Sequence, residues 1–270
     1  MTAHASLGRS CLKRSDGDGV AILTLDRPEA RNALSEELIS AITAELDALA
    51  EDSRIRAVVL TANGPVFSSG HDMKEMTARR ADPDGGRAYF ADILGRCSAM
   101  MLRVQRLPQP VIAAVEGVAT AAGCQLVASC DLAVAGAEAR FSTPGVHIGL
   151  FCSTPMVALS RAVGQKKSME MLLTGDFVSA QEAKAEGLVN RVVPAEELEA
   201  ATRSLAGRIS EASPLVVGVG KQAFYRQLEM PTGQAYAYTK EVMSFNATFA
   251  DAQEGMCAFL EKRKPEWKGR

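Results

Sequence analysis

The chain has 270 residues, of which 47% are hydrophobic and 23% charged, and its formal net charge is −2. That balance suits one α/β unit with a helical appendage and excludes a disordered chain. It offers no pull on nucleic acid or an anionic membrane, so neither is an expected partner.

In chain order, Cys11–Arg14 and Val20–Leu25 read as a hairpin around the Gly/Asp turn 15–19. Ser35 caps an amphipathic helix with Leu38, Ile42, Leu46 and Leu49 at helical spacing. Ala57–Thr61 is a buried strand that leads into the Asn63-Gly64-Pro65 loop. A helix through Leu94–Leu102 is stopped by Pro108 and Pro110, which launch the strand Val111–Val115. A further helix begins near Ala121, and Leu132–Ala135 is the next strand. Strand and helix alternate to about residue 190, which predicts parallel sheets covered by helices. Ser179-Ala180-Gln181-Glu182 is a capping-box pattern. From Pro194 the chain reads as helical, with amphipathic stretches at 196–209 and 214–228 and a last helix carrying Met256, Phe259 and Leu260. The expected division is an α/β core over 1–195 and a helical region over 196–270.

Cysteines at 11, 97, 124, 130, 152 and 257 make no C-x-x-C pair, and the three histidines are scattered, so no metal is expected. Free thiols suit a reducing compartment. No apolar run is long enough to span a bilayer. Residues 1–10 lack an apolar h-region and carry one arginine, so the cytoplasm is the expected location.

Three segments carry chemistry. In Gly64–Met76 a buried strand feeds a glycine loop and a helical turn near Asp72, so backbone amides can point at a developing negative charge. A plain strand-to-helix turn with an Asp cap reads the same way. In Glu116–Ala128 a run of tiny residues opens a helix, leaving its first N–H groups open to a ligand. Tight helix–sheet packing explains that run equally well. The third, Arg140–Pro155, is too apolar for an ordinary exposed loop and gathers His147, Cys152 and Ser153. A lone histidine there is more often structural, and nothing in the spacing marks a nucleophile.

Taken in this order, the segments resemble the enoyl-CoA hydratase/isomerase family, the crotonase superfamily. The matching pieces are Leu25-Asp26-Arg27-Pro28 with Asn32-Ala33-Leu34, Phe67–Met76, Gln109–Gly117, Gly123–Leu126 and Cys130–Ala133. Leu173-Thr174-Gly175, Ala180–Ala183 with Gly187-Leu188-Val189, and Phe259–Pro265 complete them. The resemblance implies a crotonase-like spiral of β-β-α repeats with a C-terminal helical oligomerisation region forming trimers or dimers of trimers. It implies an acyl-CoA thioester as ligand, with coenzyme A part of the substrate and no separate cofactor. By position the N–H groups of His71 and Ala122 form an oxyanion hole for the thioester carbonyl and its enolate. Asp72, Met73, Lys74 and Gly123 fall along the CoA groove, and Phe259 and Lys262 match late residues that approach CoA. The basic run Lys262-Arg263-Lys264, otherwise a solvated terminus, gains a use.

The two glutamates that hydratases of this family use fall at Gln125 and Gly145. An amide cannot take a proton from water and glycine has no side chain, so efficient hydration is not expected. The stretch 141–155 looks closest to the branch called enoyl-CoA hydratase domain-containing protein 3. His147, Cys152 and Ser153 are then the side chains left for catalysis. The reading is an acyl-CoA enzyme, with a decarboxylase or isomerase, or a non-catalytic acyl-CoA binder, as alternatives.

Overall fold

The computed structural model describes residues 10–269. The reading of residues 1–10 as lacking a leader therefore falls, Ser10 apart, outside the described residues.

Strands β1 (Leu12–Gly17) and β2 (Val20–Leu25) form the expected hairpin. Its turn is tighter than the five residues expected. Ser15, Asp16 and Gly17 pair with Ile22, Ala21 and Val20, leaving Asp18 and Gly19 alone at φ 52° and 76°. Two successive left-handed residues match the right-handed twist of the strands, which a longer turn of ordinary hand would splay.

Strands β3 (Ala57–Ala62), β5 (Val111–Val115), β7 (Leu132–Gly136) and β10 (Arg191–Val193) continue this sheet in parallel, in the order β1-β2-β3-β5-β7-β10. A second sheet holds β4 (Val66–Ser68), β6 (Val118–Thr120), β8 (Arg140–Ser142) and β9 (Val178–Ser179) in that order, the first three parallel. Three passes of the chain (β3-β4, β5-β6 and β7-β8) each give one strand to the large sheet, one short strand to the small sheet, and then helix. The first pass gives both β1 and β2 to the large sheet before its helix. The expected spiral of β-β-α repeats is thereby formed.

Helices α1 (Glu36–Ala50), α2 (Met73–Ala78), α3 (Arg87–Arg106), α4 (Ala122–Ser129), α5 (Pro155–Ala162), α6 (Gln165–Thr174) and α7 (Ala180–Ala185) belong to these passes. Ser35 Oγ accepts from Leu38 N at the head of α1, and Leu38, Ile42, Leu46 and Leu49 are buried as the spacing predicts. The Ser179–Glu182 capping box forms in full at α7.

All five residues of β5 are buried, as a parallel strand covered on both faces requires. Val111, Ala113 and Val115 face the α1 and α3 side, with Leu38, Ile42, Met100 and Val104. Ile112 and Ala114 face the other way, where Leu198 and Ala206 of α8 (Leu198–Ser210) close the sheet.

The rest of the chain forms α9 (Pro214–Leu228), α10 (Thr232–Asn246) and α11 (Ala250–Glu261). Lys221 fixes α9 to the core. Its Nζ lies 2.6 Å from Asp131 Oδ2 and donates to the carbonyls of Val104 (2.9 Å) and Gln109 (3.0 Å). Asp131 also accepts from Val111 N at 2.6 Å and Tyr225 OH at 2.9 Å. Burial pushes the Asp131 carboxyl up and the Lys221 ammonium down, while mutual attraction opposes both shifts. By contrast, α10 has no buried residue.

Candidate active site

The C-terminal ends of β4, β6 and β8 lie side by side, and the three chemistry-bearing segments leave the small sheet there. Asn32 organises the first. It is fully buried, and its Oδ1 accepts from Arg27 N at 2.8 Å. Its Nδ2 donates to the carbonyls of Asn63 (2.9 Å) and Val66 (2.7 Å). Arg31 and Asn32 take left-handed conformations to make this knot, a geometry asparagine tolerates well. The sequence contained Asn32 as a motif letter but gave no hint of this clamp.

Beyond the clamp, Leu34 N donates to Gly70 O at 2.8 Å and Asp72 N to Leu34 O at 3.4 Å, a parallel bridge between Leu34 and His71. Because the residues on either side of His71 pair with Leu34, its own N–H points away from Leu34, to the side where β6 runs. Gly70, at φ 87°, permits the close approach. A Cβ there would stand 2.9 Å from Ala121 Cβ and 3.1 Å from Ala122 N.

Ala121 precedes α4 at φ 50° and ψ −120°, a conformation that an L-residue with a side chain rarely adopts. Such a residue stores about 1–3 kcal/mol and persists only where its surroundings hold it. Ala121 N donates to Ser142 O at 3.0 Å, and Gln125 N donates to Ala121 O at 3.0 Å. The unusual ψ sets the direction of the next peptide, whose N–H belongs to Ala122, first residue of α4. Gly123 sits against the Ser68 carbonyl so closely that no Cβ could be accommodated. Among the described residues, neither His71 N nor Ala122 N has a backbone acceptor. The two loops thus bring together two unpaired amides at adjacent strand ends, one of them on a helix N-terminus where negative charge is favoured.

Asp72 caps α2, accepting from Lys74 N at 3.0 Å, and its carboxylate lies 3.6 Å from Arg27. Met73 and Lys74 are exposed beside it. Phe259 is 82% exposed at the end of α11, where Lys262 is the left-handed C-cap. Among the described residues, no hydrogen bond or ion pair joins Lys262 to the two loops.

The positions expected to carry glutamates are well defined. Gln125 is 5% exposed, and its Oε1 has no hydrogen-bond partner among the described residues. It opens onto a groove of about 1120 Å³ between α3, α4, α5 and α9, with Leu102, Ala158 and Tyr225 on its walls. His71 and Ala122 do not line that groove. Gly145 is buried, and a Cβ on it would meet Leu150 O at 2.6 Å and Cys152 Sγ at 2.9 Å. Glu116 follows β5, its carboxylate against Gly136 of the large sheet.

The third segment separates its three reactive residues. His147 is exposed, and its Nε2 lies 2.7 Å from Thr174 O, tying its turn to α6. Ser153 is exposed, with Oγ 3.4 Å from Phe151 O. Only Cys152 turns inward, 7% exposed, where burial pushes its thiol pKa up and the Gly145 N–H donates to it. Cys124, fully buried on α4, is pushed up to about 12, chiefly by burial. Burial also holds His71 below the ordinary histidine range, and its Nε2 is unpartnered. The fully buried hydroxyls of Ser142 and Thr143 are unpartnered as well. Sequence reasoning missed these two, because serine and threonine after a strand carry no signal until their neighbours are known. Among the described residues no group of three His, Cys, Asp or Glu side chains is placed to hold a metal ion, and no helix is long and apolar enough to cross a membrane.

A family model described as Enoyl-CoA hydratase/isomerase matches residues 15–270. The human protein named "Enoyl-CoA hydratase domain-containing protein 3, mitochondrial" is 47% identical over 250 residues, 93% of this chain and 81% of that one. A crystal structure of enoyl-CoA hydratase from Mycobacterium smegmatis superposes with a TM-score of 0.92 at 51% identity, covering 96% of this chain and 99% of the other. That of human enoyl Coenzyme A hydratase domain-containing protein 3 gives 0.90 at 45% identity, over 95% and 100%. The mitochondrial name of the human relative, shared by its mouse and Xenopus counterparts, overturns the expected cytoplasmic location. An organelle address is read from a short leader, and the composition of a folded core does not encode it. From the match over nearly its whole length, with the fold to go with it, the chain belongs to the enoyl-CoA hydratase/isomerase family.

Proposed function

We propose that the chain is an acyl-CoA enzyme that holds a thioester carbonyl between the N–H groups of His71 and Ala122 and stabilises the enolate formed on it. One observation carries this reading: two amides without backbone acceptors stand at adjacent strand ends, held by the Asn32 clamp and the strained Ala121. Two donors fixed in advance suit an oxygen that gains charge as the α-carbon reacts, and losing one such donor costs ~10²–10³ in rate. Asp72, Met73, Lys74 and Gly123 form the near part of the CoA groove. Phe259 and Lys262 reach CoA from the end of α11, and coenzyme A belongs to the substrate, with no separate cofactor. Gln125 and Gly145 stand where hydratases carry glutamates, so hydration is slow. The mitochondrial names of the relatives support a mitochondrial setting.

Copies of the chain assemble as a homotrimer or a dimer of trimers. The support is that α10 buries nothing within its own chain, while Tyr236, Met243, Phe245, Phe259 and Leu260 are exposed. Light scattering should give a trimer or hexamer mass, and a monodisperse monomer would remove this part.

The test of the main reading is a titration with a panel of acyl-CoAs, with products followed by mass spectrometry. Binding together with turnover is expected, and rapid hydration of crotonyl-CoA would refute the roles given to Gln125 and Gly145. A second reading, a non-catalytic acyl-CoA binder, is favoured by the absence of any carboxylate at 125 and 145. Tight binding with no turnover of any thioester would establish it.

A further inference from the structure

Beyond α11 the chain folds back along the helix it has just left. Lys262 makes the turn in the left-handed conformation, φ 57°. Arg263 N donates to Ala258 O at 3.0 Å, and its guanidinium donates to both carboxylate oxygens of Glu254, at 2.6 and 3.0 Å. Glu266 N donates to the same carboxylate at 2.9 Å. The Trp267 ring lies over Gly255, where a Cβ would meet it at 3.3 Å. The amides of Lys268 and Gly269 donate to the Asp251 carboxylate, at 2.7 and 3.1 Å. Positions 251, 254, 255 and 258 share one face of a helix, so the segment 263–269 retraces most of α11.

This segment also reaches across to the neighbouring helices. Trp267 Nε1 donates at 2.7 Å to the carbonyl of Glu211, the C-cap of α8. The Ser213 hydroxyl, which caps α9, donates to Asp251 at 2.6 Å. Asp251 is 1% exposed, so one buried carboxylate ties together α9, α11 and the returning segment. A left-handed residue other than glycine persists only where its surroundings hold it, and these contacts hold the turn at Lys262. They also sort the basic run. Arg263 occupies the carboxylates of Glu254 and Glu261, while among the described residues Lys262 and Lys264 make no ion pair. Two cations thus stand at the end of α11, beside the exposed Phe259, with those two acids already taken.

Resting on the acyl-CoA reading above, we propose that residues 263–269 form a clasp that positions the CoA end of the site, with Trp267 as its chief positioning residue. The clasp fixes the Lys262 turn so that Lys262 and Lys264 are offered together to the phosphate groups of CoA. The acyl end is left to the two loops of the small sheet. Ion pairs made from a turn already in place cost less ordering than the same lysines on a loose tail would. Being exposed, such pairs are individually weak and are screened by salt.

The experiment compares an acyl-CoA with the matching acyl-pantetheine thioester, which lacks the nucleotide and every phosphate, by titration calorimetry on the full chain. Wild type should bind the CoA thioester more tightly. Trp267→Ala should weaken acyl-CoA binding ~3–10-fold, the worth of two exposed ion pairs, and leave acyl-pantetheine binding unchanged. That difference from wild type should vanish as salt rises toward ~1 M. Equal weakening of both thioesters would reduce the clasp to a structural part and overturn the proposal. Trp267 is the one tryptophan of the chain, so its emission reports the clasp directly. In Glu254→Gln a red shift should accompany a smaller loss of acyl-CoA affinity, and a red shift with no loss would also overturn the proposal. Equal binding of both thioesters by wild type would overturn the clasp alone, whereas failure to bind either would remove the acyl-CoA reading itself.

Discussion

Two groups of buried polar residues border α4, and they are built on opposite terms. At its C-terminal side, Asp131, Lys221, Tyr225 and the Val111 amide satisfy one another over distances of 2.6–2.9 Å. At its N-terminal side, Gln125, Ser142, Thr143 and the His71 ring each leave a buried atom without a partner. The first region attaches a helix and has no need of a ligand. The second carries a desolvation cost that the neighbouring side chains and backbone do not offset.

The largest effect is expected from breaking the satisfied region. Lys221→Met leaves Asp131 buried without its cation and should cost ~3–5 kcal/mol in urea unfolding, with turnover per folded molecule kept within a few-fold. A loss under ~1 kcal/mol would mean that the pair is not the anchor of α9. Next comes Ala122→Pro. Proline is tolerated at the first residue of a helix, where it deletes only an amide already free. Turnover should fall ~10²–10³-fold while the melting temperature moves little. Unchanged turnover would dismiss Ala122 as a donor.

Thr143→Val sharpens the contrast from the other side. Removing an unsatisfied hydroxyl should leave stability unchanged or raise it by up to about 1 kcal/mol, while acyl-CoA binding weakens. A clear destabilisation would show that the hydroxyl is already satisfied in the free protein. The smallest effect concerns pH. His71 has a folded-state pKa below its ordinary 6.5, so the unfolded chain binds its proton more tightly. Stability should be flat above pH 6.5, fall as pH drops below it, and finish falling beneath the folded pKa. Thermal melts of wild type and His71→Gln across this window should diverge only at its acid end, and parallel curves would refute the assignment.

Local rules made part of this molecule legible. The Ser35 cap with its 3.6-residue stripe and the Ser179–Glu182 capping box concern contacts within a few residues, and both form as read. The loops at His71 and Ala122 were legible only as a pattern, because glycine runs serve packing and ligands equally well. What stayed hidden depends on distant partners. Lys221 finds Asp131 ninety residues away, and Asn32 finds the carbonyl of Val66. The separation of His147 from Cys152 hinges on Thr174, which nothing in the 140–155 stretch announces. The face of α8 that covers β5 and α10, a helix of its own, also escaped the reading. The first is decided by where the sheet places its second face, and the second by an apolar pattern that no core of its own chain answers.

The loop over Gly145 also bears on how such a protein can change. On the proposed reading, efficient hydration cannot be reached here by one substitution, since a glutamate at 145 would first collide with the Leu150 carbonyl and the Cys152 sulfur. The 150–152 turn must be remodelled before a carboxylate has anywhere to go. Laboratory selection for crotonyl-CoA hydration should therefore stall under point mutation and advance only from libraries that rebuild this turn together with positions 125 and 145. The proposed backbone cradle would come through such a search untouched, because none of the mutable side chains forms it.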